Sequence, residues 1–400
     1  MRIALNNAFR VAGQAIQAQK TRNPFSLFTY DVDFVAGTAK GGTQPYGGNS
    51  NDGRLFRDPS NVTATFCPNA SGTLSSVSAA GLRRTTKGVF SYMSSTNAVL
   101  WNRDLTNAAW TKTNMTASKT ATGADGSANA ATRLTATAST ATVTQAFTSA
   151  SAQRVFSLDI KRVTGTGNIT LSVDGGTTRT VLTGLTTSYT QQWITQAAVT
   201  NPTIEIQIAT SGDVVDVDLV QLCTPSISGL NIPTPQRYAT TSATVINSQS
   251  RPNVASADAG PLYSVSAGAF GFYWQGRSER PTGGFVITSD ATLFCNVTGT
   301  GALRFSLNPG ASQTADGVWR TGLGNLNKVA GWVKADGTLK VACNGQLGGL
   351  GTGGVLNTGG THWDLGTNGS GANSIMGINE RFAIGSGLVF SDAELVSMTT

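Results

Sequence analysis

Residues Val214–Leu222 read VVDVDLVQL. Val215, Val217 and Leu219 alternate with Asp216 and Asp218, the period of a strand with one apolar and one polar face. The same alternation recurs upstream in Ala141–Phe147 (ATVTQAF), Arg154–Lys161 (RVFSLDIK), Ile169–Val173 (ITLSV) and Ile204–Ile208 (IEIQI). Asp174-Gly175-Gly176 and Ser211-Gly212-Asp213 supply turn residues between such runs. Short strands with regular turns predict an antiparallel sandwich over residues 97–250. Its exit, residues 223–240, carries Pro225, Pro233 and Pro235 and reads as an extended strap, because proline removes ladder donors.

Further along, Phe270, Phe272 and Trp274 share one face of a run at 269–275. Leu303–Leu307, Lys328–Lys334 and Thr338–Ala342 repeat the pattern. Asp336-Gly337 and Asn344-Gly345 are hairpin turn signals. Ser391-Asp392-Ala393-Glu394 is a capping box opening a short C-terminal helix. A second sandwich is expected over residues 251–400. Before the first sandwich, Leu5, Phe9, Ala12 and Ile16 form one helical stripe. The remainder of 1–96 is strand and turn material without a core of ordinary size, expected to pack on later residues or on other subunits. The predicted fold class is all-β: two antiparallel β-sandwich (jelly-roll) domains in tandem, with a short N-terminal helix and an irregular β-rich leader.

Composition agrees. Charged residues make up 12% of the 400, about half the usual fraction, and 47 are glycine, so charged-faced amphipathic helices are excluded as the main element. The net charge of +7 is spread thinly rather than clustered. That predicts no nucleic-acid partner. No apolar run reaches the roughly 18 residues of a membrane span, so no membrane insertion is expected. Cys67, Cys223, Cys295 and Cys343 show no metal-ligand spacing and are expected as reduced, partly buried thiols, with a Cys295–Cys343 disulfide as the alternative. Polar residues interrupt Met1–Lys20, which does not read as a secretory signal.

Residues Asn97–Asn114 (NAVLWNRDLTNAAWTKTN) bring in a family resemblance. Asn97, Leu100, Asp104, Asn107-Ala108-Ala109 and Trp110-Thr111-Lys112 resemble the opening of a carbohydrate-binding jelly-roll module of bacteriophage tail-fibre and virion proteins. Gly123-Ala124-Asp125-Gly126 (with Ala where Pro is common), Thr132-Arg133-Leu134, Asp216 through Gln221-Leu222, Pro233-Thr234-Pro235 and Tyr238 follow in the module's order over about 150 residues. The last third, through Asp336-Gly337, Asn344-Gly345, Glu380-Arg381-Phe382 and Ser391 to Leu395, is similar to concanavalin-like (laminin-G-type) lectin domains. The resemblance implies three regions: a virion-attachment leader (1–96), a jelly roll (97–250) and a lectin sandwich (251–400). It implies a fibre, spike or capsid/tail decoration that adheres to host-surface polysaccharide as a homotrimer. Such a protein is assembled in the host cytoplasm, released by lysis, and held in the virion by the N-terminal region. The helical stripe is then a peg or trimeric bundle, or simply a helix on its own domain. A glycan-degrading tailspike-type hydrolase and a decoration protein without a ligand remain alternatives.

Catalytic patterns are thin. His362 is the sole histidine, with Asp364 two residues on, and no G-x-S-x-G elbow accompanies it. The four glutamates form no paired-carboxylate strand motif, and no Gly-Lys pair exists for a phosphate loop, so no enzyme is expected. Trp110, Trp193, Trp274 and Trp332 sit in strand contexts and are expected as core or half-buried. Trp363, flanked by His362 and Asp364 in a Gly/Asn/Thr-rich segment, is the candidate glycan platform, or else a plug holding that segment down. Asp216 and Asp218 project from one strand face. The module resemblance makes them a candidate structural calcium pair, against a solvated outer face; no other cofactor is implied.

Overall fold

The computed structural model describes residues 23–28, 30–36, 38–40, 56–57, 65–68, 73–77, 84–85, 87–92, 94–224, 236–247, 252–255, 269–289, 293–307, 312–315, 319–354, 362–367 and 374–400. The expected helix at 3–19 and the prolines of the strap lie outside these residues. Among those described the chain is all-β, with one α-helix, Asp392–Thr399. Ser391 and Glu394 close the expected capping box on it.

Residues 97–247 hold a two-sheet sandwich. One sheet runs, in spatial order, Met115–Ala121, Ala131–Ala136, Val214–Cys223, Ala152–Thr164, Thr190–Val199. The other runs Thr180–Val181, Ile169–Ser172, Thr203–Ile208, Ala141–Ala146, Thr111–Thr113. Every pairing is antiparallel. Inward side chains such as Phe156, Leu158, Ile160, Val215, Val217 and Ile206 meet Trp110 in one core.

The Val214–Cys223 strand departs from the simple alternation at one residue. Leu219 has φ +48°, and opposite it the register slips: Ser157 faces Gln221, yet Asp159 faces Asp218. This β-bulge inserts one residue and reverses the parity beyond it. Val220 and Leu222 therefore join the core, and Gln221 turns away from it. Asn97 and Asn102 satisfy the displaced backbone. Both donate Nδ2–H to the Val220 carbonyl, at 3.2 and 3.1 Å, and Asn97 Oδ1 accepts from Leu222 N–H at 3.1 Å.

In the second sandwich one sheet is built from Ala269–Ser278, Asn327–Lys334, Leu339–Cys343 and Gly377–Ser386. The facing sheet contains Phe285–Ser289, Leu293–Val297, Leu303–Leu307 and His362–Leu365. Phe272, Trp274, Phe305 and Trp363 fill the space between them. The C-terminal helix covers the outside of the first sheet, with Leu395 and Met398 packed near Tyr273, Trp332 and Phe28. Asn344 (φ +48°) and Gly345 (φ +82°) both take the left-handed conformation at the predicted hairpin turn. Cys295 and Cys343 are buried thiols, not joined in a disulfide. Burial pushes the Cys343 thiol up to about 12.

Leader strands complete this second sandwich. Tyr30–Asp33 pairs with Gly377–Ser386, as does Gly88–Ser91, and Phe56–Arg57 pairs with Asn253–Ala255. Val32, Phe34 and Val89 enter its core. The first sandwich is thus inserted into the second, and a short ribbon, Ser95–Asn97 against Val245–Asn247, ties its entry to its exit. The boundary drawn at residue 96 divides the chain without dividing the fold.

This topology predicts unequal fragments. Residues 95–247 alone should unfold in one cooperative urea transition followed by tryptophan fluorescence. Residues 251–400 alone should show none, because three core side chains and three strand partners are missing. A cooperative transition in the second fragment would contradict the insertion.

Candidate functional site

The sheet containing Val214–Cys223 turns its second face away from the core, and polar side chains line it in rows. Arg133, Asp216 and Lys161 occupy one row across three strands. Asp218, Asp159 and Gln191 form the next, and Gln221, Ser157 and Trp193 the third. Rows two residues apart are separated by about 7 Å.

Three carboxylates in these rows are buried, and each is held by arginine. Arg133 grips Asp216 through Nε and Nη2 at 2.8 and 3.0 Å. Arg103 grips Asp218 at 2.8 and 2.9 Å and reaches Asp125 at 2.8 Å with its other edge. Arg237 grips Asp159 at 2.9 and 3.0 Å. The Ala124 N–H adds a bond to Asp218 at 2.8 Å. Burial nonetheless drives Asp218 above the usual carboxylate range against the pull of Arg103. Asp125, less deeply placed, is held below that range by Arg103.

Beside these pairs lies a cleft of about 570 Å³. Asp159, Lys161, Tyr189, Thr190, Gln191 and Arg237 form its sheet side, and Pro68, Thr73 and Leu74 close one wall. That wall is the leader hairpin Thr65–Pro68 with Leu74–Val77. Phe66 and Arg237 exchange two backbone hydrogen bonds, at 2.8 and 2.9 Å, which seat the hairpin there. The Lys161 ammonium lies 4.7 Å from the centre of the Tyr189 ring, and the Tyr189 hydroxyl donates to the Thr122 carbonyl at 2.8 Å. Burial and the nearby Asp216 and Asp218 raise the Tyr189 hydroxyl's pKa, so it stays protonated.

Trp193 is the aromatic that sequence reasoning missed. It is 45% exposed, on the same side of its strand as Gln191. Its neighbour Ile194 is buried in the core, and adjacent strand residues point to opposite faces, so Trp193 must point outward. That signal was present in the dipeptide. Trp110, Trp274 and Trp332 are buried, in line with expectation.

The residues singled out from sequence lie elsewhere or do other work. His362, Trp363 and Asp364 are on a strand rather than in a loop. Trp363 is 2% exposed and meets Phe270 edge-on at 5.5 Å. A ring enclosed in a core has no face to offer a sugar, so Trp363 does not form the candidate site. Asp364 is likewise buried. Asp216 and Asp218 are not a solvated face either; both are fully buried. Their make-up does not fit a calcium site, because guanidinium groups already engage both oxygens of each. Among the described residues no group of three or more His, Cys, Asp or Glu is placed to hold a metal ion.

No protein-family model matches the chain, and no curated protein matches it by sequence. Among solved structures it is similar to domain 4 of AbnA, a GH43 extracellular arabinanase from Geobacillus stearothermophilus, in complex with arabinotriose. That likeness has 19% identity and a TM-score of 0.29, and covers 40% of this chain and 76% of that one. It is also similar to the CBM40 of Ruminococcus gnavus IT-sialidase, at 17% identity and TM-score 0.29, over 36% of this chain and 88% of that one. The CBM22-1-CBM22-2 tandem domain of Paenibacillus barcinonensis Xyn10C is similar at 10% identity and TM-score 0.25, over 74% of this chain and 97% of that one. These likenesses are shallow.

The arginine clamps set a stability expectation. Arg237→Met leaves Asp159 buried without its partner and should cost about 3–5 kcal/mol in urea unfolding. Replacing both, as Arg237→Met with Asp159→Leu, should recover most of that loss.

Proposed function

We propose that the outer sheet face of the inserted sandwich binds a glycan, and that the chain is an adhesive structural protein of a bacteriophage virion. The observation that carries the binding reading is Trp193, exposed on a sheet face next to a polar cleft of about 570 Å³. Sugar rings have apolar faces and hydroxyl edges. An exposed indole supplies the apolar contact, and Gln191, Thr190 and Ser188 supply hydrogen-bonding groups. The reading is binding rather than hydrolysis, because the three carboxylates of this face are engaged by arginine. Each site would be weak, and a homotrimer on a particle would gain strength by avidity. The virion assignment is supported by the module motifs from Asn97 to Tyr238, and attachment is assigned to the N-terminal region.

Trp193→Ala should weaken glycan binding at least about tenfold, or about 1.4 kcal/mol, in isothermal titration against array-selected ligands. Its unfolding should stay cooperative, which separates lost binding from a lost fold. Release of shortened saccharide during incubation would replace the binding reading with a hydrolytic one. Separately, mass spectrometry of purified phage particles should find the chain as a stoichiometric component; its absence would sink the virion assignment.

A further inference from the structure

On the glycan-binding reading of the outer sheet face, we propose that the ligand is an acidic polysaccharide whose carboxylate or sulfate is held by Lys161. The assignment follows from how charge is distributed across the rows. Arg237 and Asp159 balance one another, and both side chains are only 5% exposed. Arg103 faces two carboxylates, Asp125 and Asp218, and is mostly enclosed. In the remaining row two cations, Arg133 and Lys161, share the single carboxylate of Asp216. This row carries one surplus positive charge, and its cations reach solvent: the Arg133 side chain is 42% exposed and that of Lys161 24%.

Of the two, Lys161 is the less committed. Arg133 makes a two-pronged pair with Asp216, whereas the Lys161 ammonium stands 3.5 Å from Asp216 Oδ2. Charge-assisted bonds at full strength are about 2.7–2.9 Å long. An ammonium has three donors, and this one borders the cleft with Thr187, Ser188 and Tyr189 around it. The Tyr189 ring holds the ammonium in place, so little side-chain freedom is lost when an anion arrives. Asp159, which also lines the cleft, is neutralised by Arg237 and opposes an anion less than a free carboxylate would.

The test uses the full chain and three acidic polymers as probes: polygalacturonate, polysialic acid and chondroitin sulfate. Each is compared with its carboxyl-reduced form, and chondroitin sulfate also with its desulfated form, by affinity electrophoresis at low and high NaCl. The native protein should bind at least one acidic polymer about tenfold more tightly than its neutralised counterpart, with the gap shrinking as salt rises. The carboxyl-reduced and desulfated arms identify which anion is read. Lys161→Met should erase the gap and Lys161→Arg should keep most of it, whereas Trp193→Ala should weaken binding to both members of a pair. Equal binding of acidic and neutralised forms by the native protein would overturn the anion assignment and leave the glycan reading standing. Binding to neither form of any pair would remove both.

Discussion

Asp159, Asp216 and Asp218 are carboxylates buried on the side of a sheet that faces away from the hydrophobic core. Leaving any of them unpaired would cost several kcal/mol, so each demands a cation with matching geometry. The three arginines that answer come from different parts of the chain: Arg133 from the adjacent strand, Arg103 from the entry stretch, and Arg237 from the exit segment. Such pairs add little net stability beyond what apolar residues would give. What they decide is where the connecting segments lie. Arg103 and Arg237 fix the entry and exit of the inserted sandwich across its own sheet, and the Ser95–Asn97 ribbon then closes behind them.

That arrangement divides the face into a covered part and an open part. Arg237 exchanges backbone bonds with Phe66, and the Arg103 guanidinium lies 5.1 Å from the centre of the Phe66 ring, so the leader hairpin comes to rest there. Lys161, Tyr189, Gln191 and Trp193 lie toward the edge strand Thr190–Val199. The leader, whose other strands belong to the second sandwich, therefore walls a cleft on the first. Packing and site geometry share the same contacts.

Much of the architecture was legible in the chain. The alternation of Val215, Val217, Phe270, Phe272 and Trp274, the turn pairs Asp336-Gly337 and Asn344-Gly345, and the capping box at Ser391 are local patterns, and each forms its expected element. The Asn97–Asn114 motif also has a local physical sense. Trp110 is core, Asn97 and Asn102 satisfy the bulge at Val220, and the Lys112 ammonium donates to the carbonyls of Leu105, Thr106, Asn107 and Trp110. The site was less legible. Trp363 lies in a segment whose composition suggests a loop, yet it pairs in a sheet between Asn253–Ala255 and Phe285–Ser289 and turns into the core. The alternation visible across Val214–Leu222 does not persist past Leu219, where the bulge reverses it.

By itself the sequence determined the fold class, because strand periodicity, turn chemistry and helix capping act over a few residues. It also determined which residues of the central strand face the core as far as Asp218. Only the tertiary structure decided what the other face became. Whether Asp216 and Asp218 meet water, a metal ion or arginine depends on Arg103 and Arg133, 115 and 83 positions away. Whether Trp193 or Trp363 reaches solvent depends on which strands flank each of them. Burial and charge pairing are properties of contacts between distant segments, and no local pattern carries them.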